Sequence, residues 1–345
     1  MPQKPLFGLR RGFDFPNLGY ADPMPLDVPA HLASLVCIGF DGSEPTPFIE
    51  EALSAGVSTV ILFARNVGDP AHTAETCRRL REAAGRPIVI AIDQEGGTSR
   101  RLVDGFTPVP PMRELARLGP QAVAEAATTT ARELRSVGID FNFAPVVDVD
   151  SNPNNPVIGN RAFSDDPILV AEFGSIWIKA MQEEAVAACA KHFPGHGDTS
   201  EDSHLELPRL SHDLERLRRV ELRPFVAAVE AGVASIMSAH VLFEAIDPDR
   251  PATLSARVLH EVLRQEIGFK GVIVSDDMEM DAIVGRMPIE SAAVEAINAG
   301  VDLLLCCHRE DRQRIVLESL ADGLDSSAAE RAIARMSQFH AAWAR

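Results

Sequence analysis

The chain has little positive charge for its length. Its 345 residues hold 33 Lys and Arg against 50 Asp and Glu, a formal net charge of −17. Nucleic-acid phosphates select basic faces, so this balance argues against a nucleic-acid partner. Cysteine is sparse and odd in number: Cys37, Cys77, Cys189, Cys306 and Cys307. An odd set in a chain this long does not read as a disulfide framework. Cys189, Cys306 and Cys307 lie in apolar runs and read as small core residues. Long apolar runs are missing as well. No stretch reaches the roughly 18 apolar residues of a membrane span, and the opening MPQKPLFGLRRGFDF has no apolar segment like that of a signal peptide. The expectation is a cytoplasmic protein without membrane contact. No repeat or low-complexity segment stands out.

What is present is a regular alternation. Hydrophobic residues make up 46 % of the chain, enough for a large core. Residues 1–30 are rich in Pro, Gly and Asp and read as an irregular arm. Beyond them, eight short apolar runs cover 32–40, 58–64, 87–93, 140–145, 186–193, 234–239, 271–277 and 301–307. Several are almost continuously apolar, as expected of parallel strands buried on both faces. Between them lie segments with helical spacing, such as 70–85 and 212–232. A final helix is expected from Ser326. Eight strands alternating with helices are the count of a closed barrel. The fold expectation is therefore α/β, a single (β/α)8 TIM-type barrel over residues 31–345 with a C-terminal helix. The rival, an open doubly wound sheet, wants a glycine-rich phosphate turn after its first strand. Gly39-Phe40-Asp41-Gly42-Ser43-Glu44-Pro45 does not supply one.

In such a barrel, chemistry gathers at the C-terminal ends of the strands. The polar residues that interrupt the apolar runs fall there: Asp93-Gln94-Glu95, Asp148, Lys191-His192, His240 and Ser275-Asp276-Asp277. Asp276 follows Val-Ile-Val-Ser and should stand at the rim. A carboxylate there can be a nucleophile, a metal ligand or a helix cap, and Asp277 fits the cap role better. The segment after the fifth run, FPGHGDTSEDSH, packs glycines, histidines and carboxylates too densely for a core element. Its Asp202-Ser203-His204 places a carboxylate two residues from an imidazole. Asp202 could accept the ring's Nδ1 proton and leave the other nitrogen for proton transfer. A solvated loop with an accidental pair is the plainer alternative. Lys191 and His192, Asp93, the Arg100-Arg101 pair and Arg161 read as groups that bind a polar ligand, or as structural ion pairs.

Taken together, KHFPGHGDTSEDSHLELP (191–208), DQEGG (93–97), FAPVVDVD (143–150), IGNRAFSDDP (158–167), IMSAHVLF (236–243), PATLS (251–255) and GFKGVIVSDDM (268–278) resemble glycoside hydrolase family 3. The similar branch is the single-domain bacterial β-N-acetylglucosaminidases of peptidoglycan recycling, and the likeness runs from about residue 31 to 320. It implies a retaining exo-β-N-acetylhexosaminidase acting on a small carbohydrate or muropeptide. Asp276 matches the nucleophile, His204 the general acid/base and Asp202 its partner. Asp93, Arg101, Arg161, Lys191 and His192 match the residues that hold the sugar. The resemblance implies no metal and no cofactor, and a monomer or weak homo-oligomer is expected. Two positions depart from the family pattern. Glu279 stands where a small residue is usual and is expected to point into the following helix. Thr98 stands where relatives often carry Arg. His196 and Asp198 are left as loop structure.

The alternatives are a phosphorylase using the same intermediate, a glycosidase for another sugar, and a metal-dependent barrel hydrolase. The last would draw ligands from His192, His196, Asp198, Asp202, His204 and Asp276. It lacks the His-x-His common at the end of a first strand in barrel amidohydrolases.

Overall fold

The computed structural model describes residues 25–203 and 207–345. The irregular arm expected over 1–30 falls mostly outside the described residues, and so does His204. Eight parallel strands close a barrel: β1 (Val36–Ile38), β2 (Thr59–Leu62), β3 (Val89–Ile92), β4 (Phe141–Asn142), β5 (Ala187–Phe193), β7 (Ser235–Ser238), β9 (Val272–Asp277) and β10 (Leu303–Cys306). Strand β1 pairs with both β2 and β10, which closes the ring. Every expected apolar run contains one barrel strand. A second, two-stranded parallel sheet joins β6 (Arg209–Leu210) to β8 (Leu242–Phe243) outside the ring.

The apolar runs form strands because both their faces are covered. All residues of β2, β3 and β5 are buried, between the barrel interior and the surrounding helices. The helices begin where the sequence offers caps. Asp69 accepts the His72 N–H ahead of Pro70–Ala84, Asp213 accepts that of Arg216 ahead of Leu214–Arg219, and Asp325 accepts that of Ala328 ahead of Ser326–Trp343. The single helix expected over 212–232 is two, Leu214–Arg219 and Arg223–Glu230. Pro224 is the cause: it has no N–H to give the preceding turn and fits only in the first turn of a new helix.

The two ends of the barrel use their charges differently. At the bottom, Asp140 precedes β4 and Asp302 precedes β10. Asp140 accepts bonds from Arg81 and Arg345 and from the Ile90 N–H. Asp302 does the same with Arg264, Arg335 and the Ile273 N–H. These pairs tie strand starts to the surrounding helices. At the top, the strand ends open into one.

Candidate active site

The cavity at the top of the barrel has a volume of about 610 Å³. Its walls include Asp93, Arg101, Arg161, Lys191, His192 and Asp276, six of the expected site residues. They arrive from β5, β9 and the segments that follow β3 and β4.

The floor is an ion-pair network built around a buried lysine. Lys191 Nζ lies 2.8 Å from Asp93 Oδ1 and 2.7 Å from Glu95 Oε1. Glu95 also takes a two-pronged contact from Arg161, with Nε at 2.9 Å and Nη2 at 2.8 Å. A bidentate guanidinium–carboxylate pair fixes both partners in one plane. Burial alone would raise the Glu95 carboxyl, but the Lys191 and Arg161 cations outweigh it and hold the group below its ordinary range. Burial would likewise depress Lys191, and Asp93 and Glu95 reverse that. Arg101 Nη2 stands 3.6 Å from Asp93 Oδ2, and its Nε is buried with no hydrogen-bond partner among the described residues. The backbone N–H groups of Arg101 and Leu102 both donate to Gln94 Oε1, which pins this stretch to the end of β3.

His192 is oriented from behind. Asp148, fully buried, accepts His192 Nδ1 at 2.7 Å and the backbone N–H groups of His192 and His196 at 3.1 and 2.7 Å. Burial opposes ionisation of Asp148, but the two histidines and these bonds lower its pKa. An ionised Asp148 can only accept, so His192 carries its proton on Nδ1 and Nε2 is left to meet a ligand.

Asp276 ends the apolar stretch of β9, facing this floor. One oxygen accepts the Asp277 N–H at 2.8 Å. Burial works against its charge, but the fields of His192 and His240, the Asp277 N–H and Lys191 together bring its pKa below the ordinary value. His240 is itself buried, held between Thr253 Oγ1 and the Asp277 carbonyl, with its pKa lowered by burial. The cavity thus presents the Asp276 carboxylate, its pKa lowered, beside a floor in which Asp93 and Glu95 are ion-paired with Lys191 and Arg161. That is an arrangement for a polar, hydroxyl-rich ligand with an electrophilic carbon.

Two expectations need correction. Asp277 is not a helix cap: Met280 precedes the Asp281–Val284 helix, and Asp277 binds the Glu279 N–H and His308 Nε2 instead. Glu279 does not point into that helix either. It reaches across to the segment that follows β10, where Oε2 accepts the N–H groups of His308 and Arg309 at 2.6 and 3.3 Å. Burial and Asp277 raise its pKa, and Asp276 stays low beside it. His196 and Asp198, expected as loop structure, form no metal-binding set with Asp276 among the described residues. His196 is buried between Thr199 Oγ1 and Ser203 Oγ, and burial with the neighbouring His192 lowers it to about 4. Asp198 turns away toward Ser151 and His212.

Two residues that shape the cavity floor, Glu95 and Asp148, stood among the strand-end polar residues in the sequence but carried no assigned role there. The signal for Glu95 was its place two residues beyond Asp93, on the side shared by alternate residues at a strand end. Asp202 lies within the described loop and His204 outside it. Thr98 borders a neighbouring cavity of about 280 Å³ that shares Glu95 and Arg161 with the first.

The chain matches the family described as "Glycosyl hydrolase family 3 N terminal domain" over residues 33–342. A protein of Xanthomonas oryzae pv. oryzae named beta-hexosaminidase is 39 % identical over 295 residues, covering 83 % of this chain and 86 % of that protein. The beta-hexosaminidase of Thiobacillus denitrificans is 41 % identical over 271 residues, covering 76 % and 75 %. Among solved structures, a glycoside hydrolase family 3 beta-N-acetylglucosaminidase from Paenibacillus sp. superposes with a TM-score of 0.88 at 40 % identity. The match covers 92 % of this chain and 63 % of that one, so the present chain spans under two thirds of the Paenibacillus protein. NagZ from Neisseria gonorrhoeae, solved with N-trifluoroacetyl-D-glucosamine, superposes with a TM-score of 0.75 at 29 % identity over 89 % of this chain and 97 % of that one. With a family match across almost the whole chain and relatives near 40 % identity, the chain belongs to glycoside hydrolase family 3.

Proposed function

We propose that the protein is a retaining exo-β-N-acetylglucosaminidase that removes terminal N-acetylglucosamine through a covalent glycosyl–Asp276 intermediate. The observation that carries this reading is Asp276 itself: a half-buried carboxylate with a lowered pKa, at the end of β9 in a cavity floored by Lys191, Asp93, Arg161 and His192. The beta-hexosaminidase names of the relatives support the sugar. The sequence pattern DSH supports His204 as general acid/base, paired with Asp202.

In this reading Asp93, Lys191, Arg101, Arg161 and His192 hold the sugar hydroxyls. Asp276 attacks the anomeric carbon while His204 protonates the departing oxygen. His204 then deprotonates the water that releases the sugar, so the configuration is retained. A histidine suits both steps because its ordinary pKa lies near neutrality. Muropeptides are the proposed natural substrate, and the cytoplasm the proposed compartment.

A panel of aryl N-acetylglucosaminide, glucoside and xyloside, run with and without phosphate, tests the assignment. The N-acetylglucosaminide should be hydrolysed fastest, to free sugar, whether or not phosphate is present. A sugar 1-phosphate product would make the enzyme a phosphorylase. Faster cleavage of glucoside or xyloside would overturn the sugar specificity. His204→Ala should slow substrates with poor leaving groups far more than activated aryl ones. Equal losses on both would remove His204 from the proton-transfer role.

A further inference from the structure

Asp198 belongs to the segment after β5 but does not line the catalytic cavity. Its Oδ1 accepts Ser151 Oγ at 2.9 Å, and its Oδ2 meets His212 Nε2. Glu221, between the Leu214–Arg219 and Arg223–Glu230 helices, completes a trio: one donor atom each from Asp198, His212 and Glu221, all within 4.8 Å of one another. The three come from separate stretches of chain. Glu221 is packed where it stands, because the backbone of Gly195 runs so close that a Cβ there would meet Glu221 Cβ at 2.9 Å.

The trio is not at rest as an ion-pair network. Glu221 is only 2 % exposed, and one of its oxygens, Oε2, has no hydrogen-bond partner among the described residues. Arg216 is the cation at hand. Its Nη2 lies 3.0 Å from Glu221 Oε1 and 3.9 Å from Asp198 Oδ2, yet its Nε is also buried without a partner among the described residues. Two unpaired polar atoms in one cluster are costly, since a buried group without a partner keeps its full desolvation penalty. A metal ion bound by the carboxylates would satisfy Glu221 Oε2. It would also let Arg216, about one third exposed, turn toward solvent and the Ser151 hydroxyl it already approaches at 3.4 Å.

We propose that Asp198, His212 and Glu221 form a binding site for one divalent first-row cation, zinc foremost, which ties the segment after β5 to the helix pair that follows it. One imidazole nitrogen and two carboxylate oxygens are a donor set that suits zinc, with a fourth position left for water. None of the three ligands lines the catalytic cavity, so the site is separate from Asp276 and its neighbours. Its place, four residues ahead of Asp202, makes it a clamp on the stretch that leads to the DSH motif.

The test is a calorimetric titration of the EDTA-stripped full chain with zinc chloride, with thermal unfolding followed in parallel. The expected result is one equivalent bound and a higher Tm. His212→Ala, Asp198→Asn and Glu221→Gln should each lose at least about tenfold in affinity, with the Tm rise abolished. His212 is partly exposed, so its alanine variant should remain folded even where Glu221→Gln does not. Saturating N-acetylglucosamine should leave the titration unchanged. No saturable zinc binding would overturn the proposal. So would an affinity in His212→Ala and Asp198→Asn within tenfold of the parent, or displacement of zinc by the sugar, which would put the metal in the barrel mouth.

Discussion

Glu95 is the residue on which the cavity floor depends. Among the described residues it alone forms ion pairs with both Lys191 and Arg161, and all three side chains are largely removed from solvent. Glu95→Ala leaves two cations facing each other across a missing carboxylate. Removing one partner of a buried pair costs about 3–5 kcal/mol. A lower midpoint in denaturant should therefore accompany a rise in KM, and an unchanged midpoint would contradict this account of the floor. Asp148→Asn is a finer probe. An amide no longer demands a donor from His192, so the ring can take the other tautomer and present N–H where it presented an acceptor. A fall of about tenfold or more in kcat/KM, with secondary structure by circular dichroism intact, is the expected outcome. The sequence exposed Asp93, Lys191, His192 and Asp276 because polar residues at the ends of apolar runs stand out. Chain direction separates them from Asp140 and Asp302, which stand at the starts of their apolar runs and brace the opposite end.

Among the elements, the C-terminal helix Ser326–Trp343 carries the clearest pH signature. It lies across the bottom of the barrel, where His340 Nε2 meets Ser58 Oγ at 3.1 Å and Thr59 Oγ1 at 3.2 Å. Burial, with nearby Arg86, lowers His340 to about 4. The unfolded chain then binds a proton below about pH 6.5 that the folded chain refuses until about pH 4. Stability must rise with pH across that window and fall on acidification through it. His340→Gln should flatten this slope by about 1–2 kcal/mol, allowing for the ring's partial exposure. Chemical denaturation at a series of pH values measures it, and an unaltered slope would show that His340 is not the group. The helix was legible from its periodicity after Asp325. The break between Leu214–Arg219 and Arg223–Glu230 was less so, because the apolar spacing runs straight through Pro224 and only backbone hydrogen bonding reveals the interruption. Glu279 was misjudged for a related reason. Its partners, the N–H groups of His308 and Arg309, lie just beyond a strand end nearly thirty residues away in sequence.

At the scale of the whole molecule, eight short strands of two to seven residues suffice because each contributes to one shared wall. Apolar runs buried on both faces, separated by capped helices, left few architectures open, and the closed ring follows from them. Closure also brings the strand-end residues into one cavity, although Asp93 and Asp276 lie far apart in the chain. The Asp276 carboxylate has a lowered pKa there, as its proposed role of nucleophile requires. Incubation with a 2-fluoro sugar bearing an activated leaving group, followed by proteolysis and peptide mass analysis, tests this role directly. The account predicts a single glycosyl adduct on Asp276, absent in Asp276→Asn. An enzyme that turns over the aryl N-acetylglucosaminide yet forms no adduct, or forms it on another residue, would contradict it.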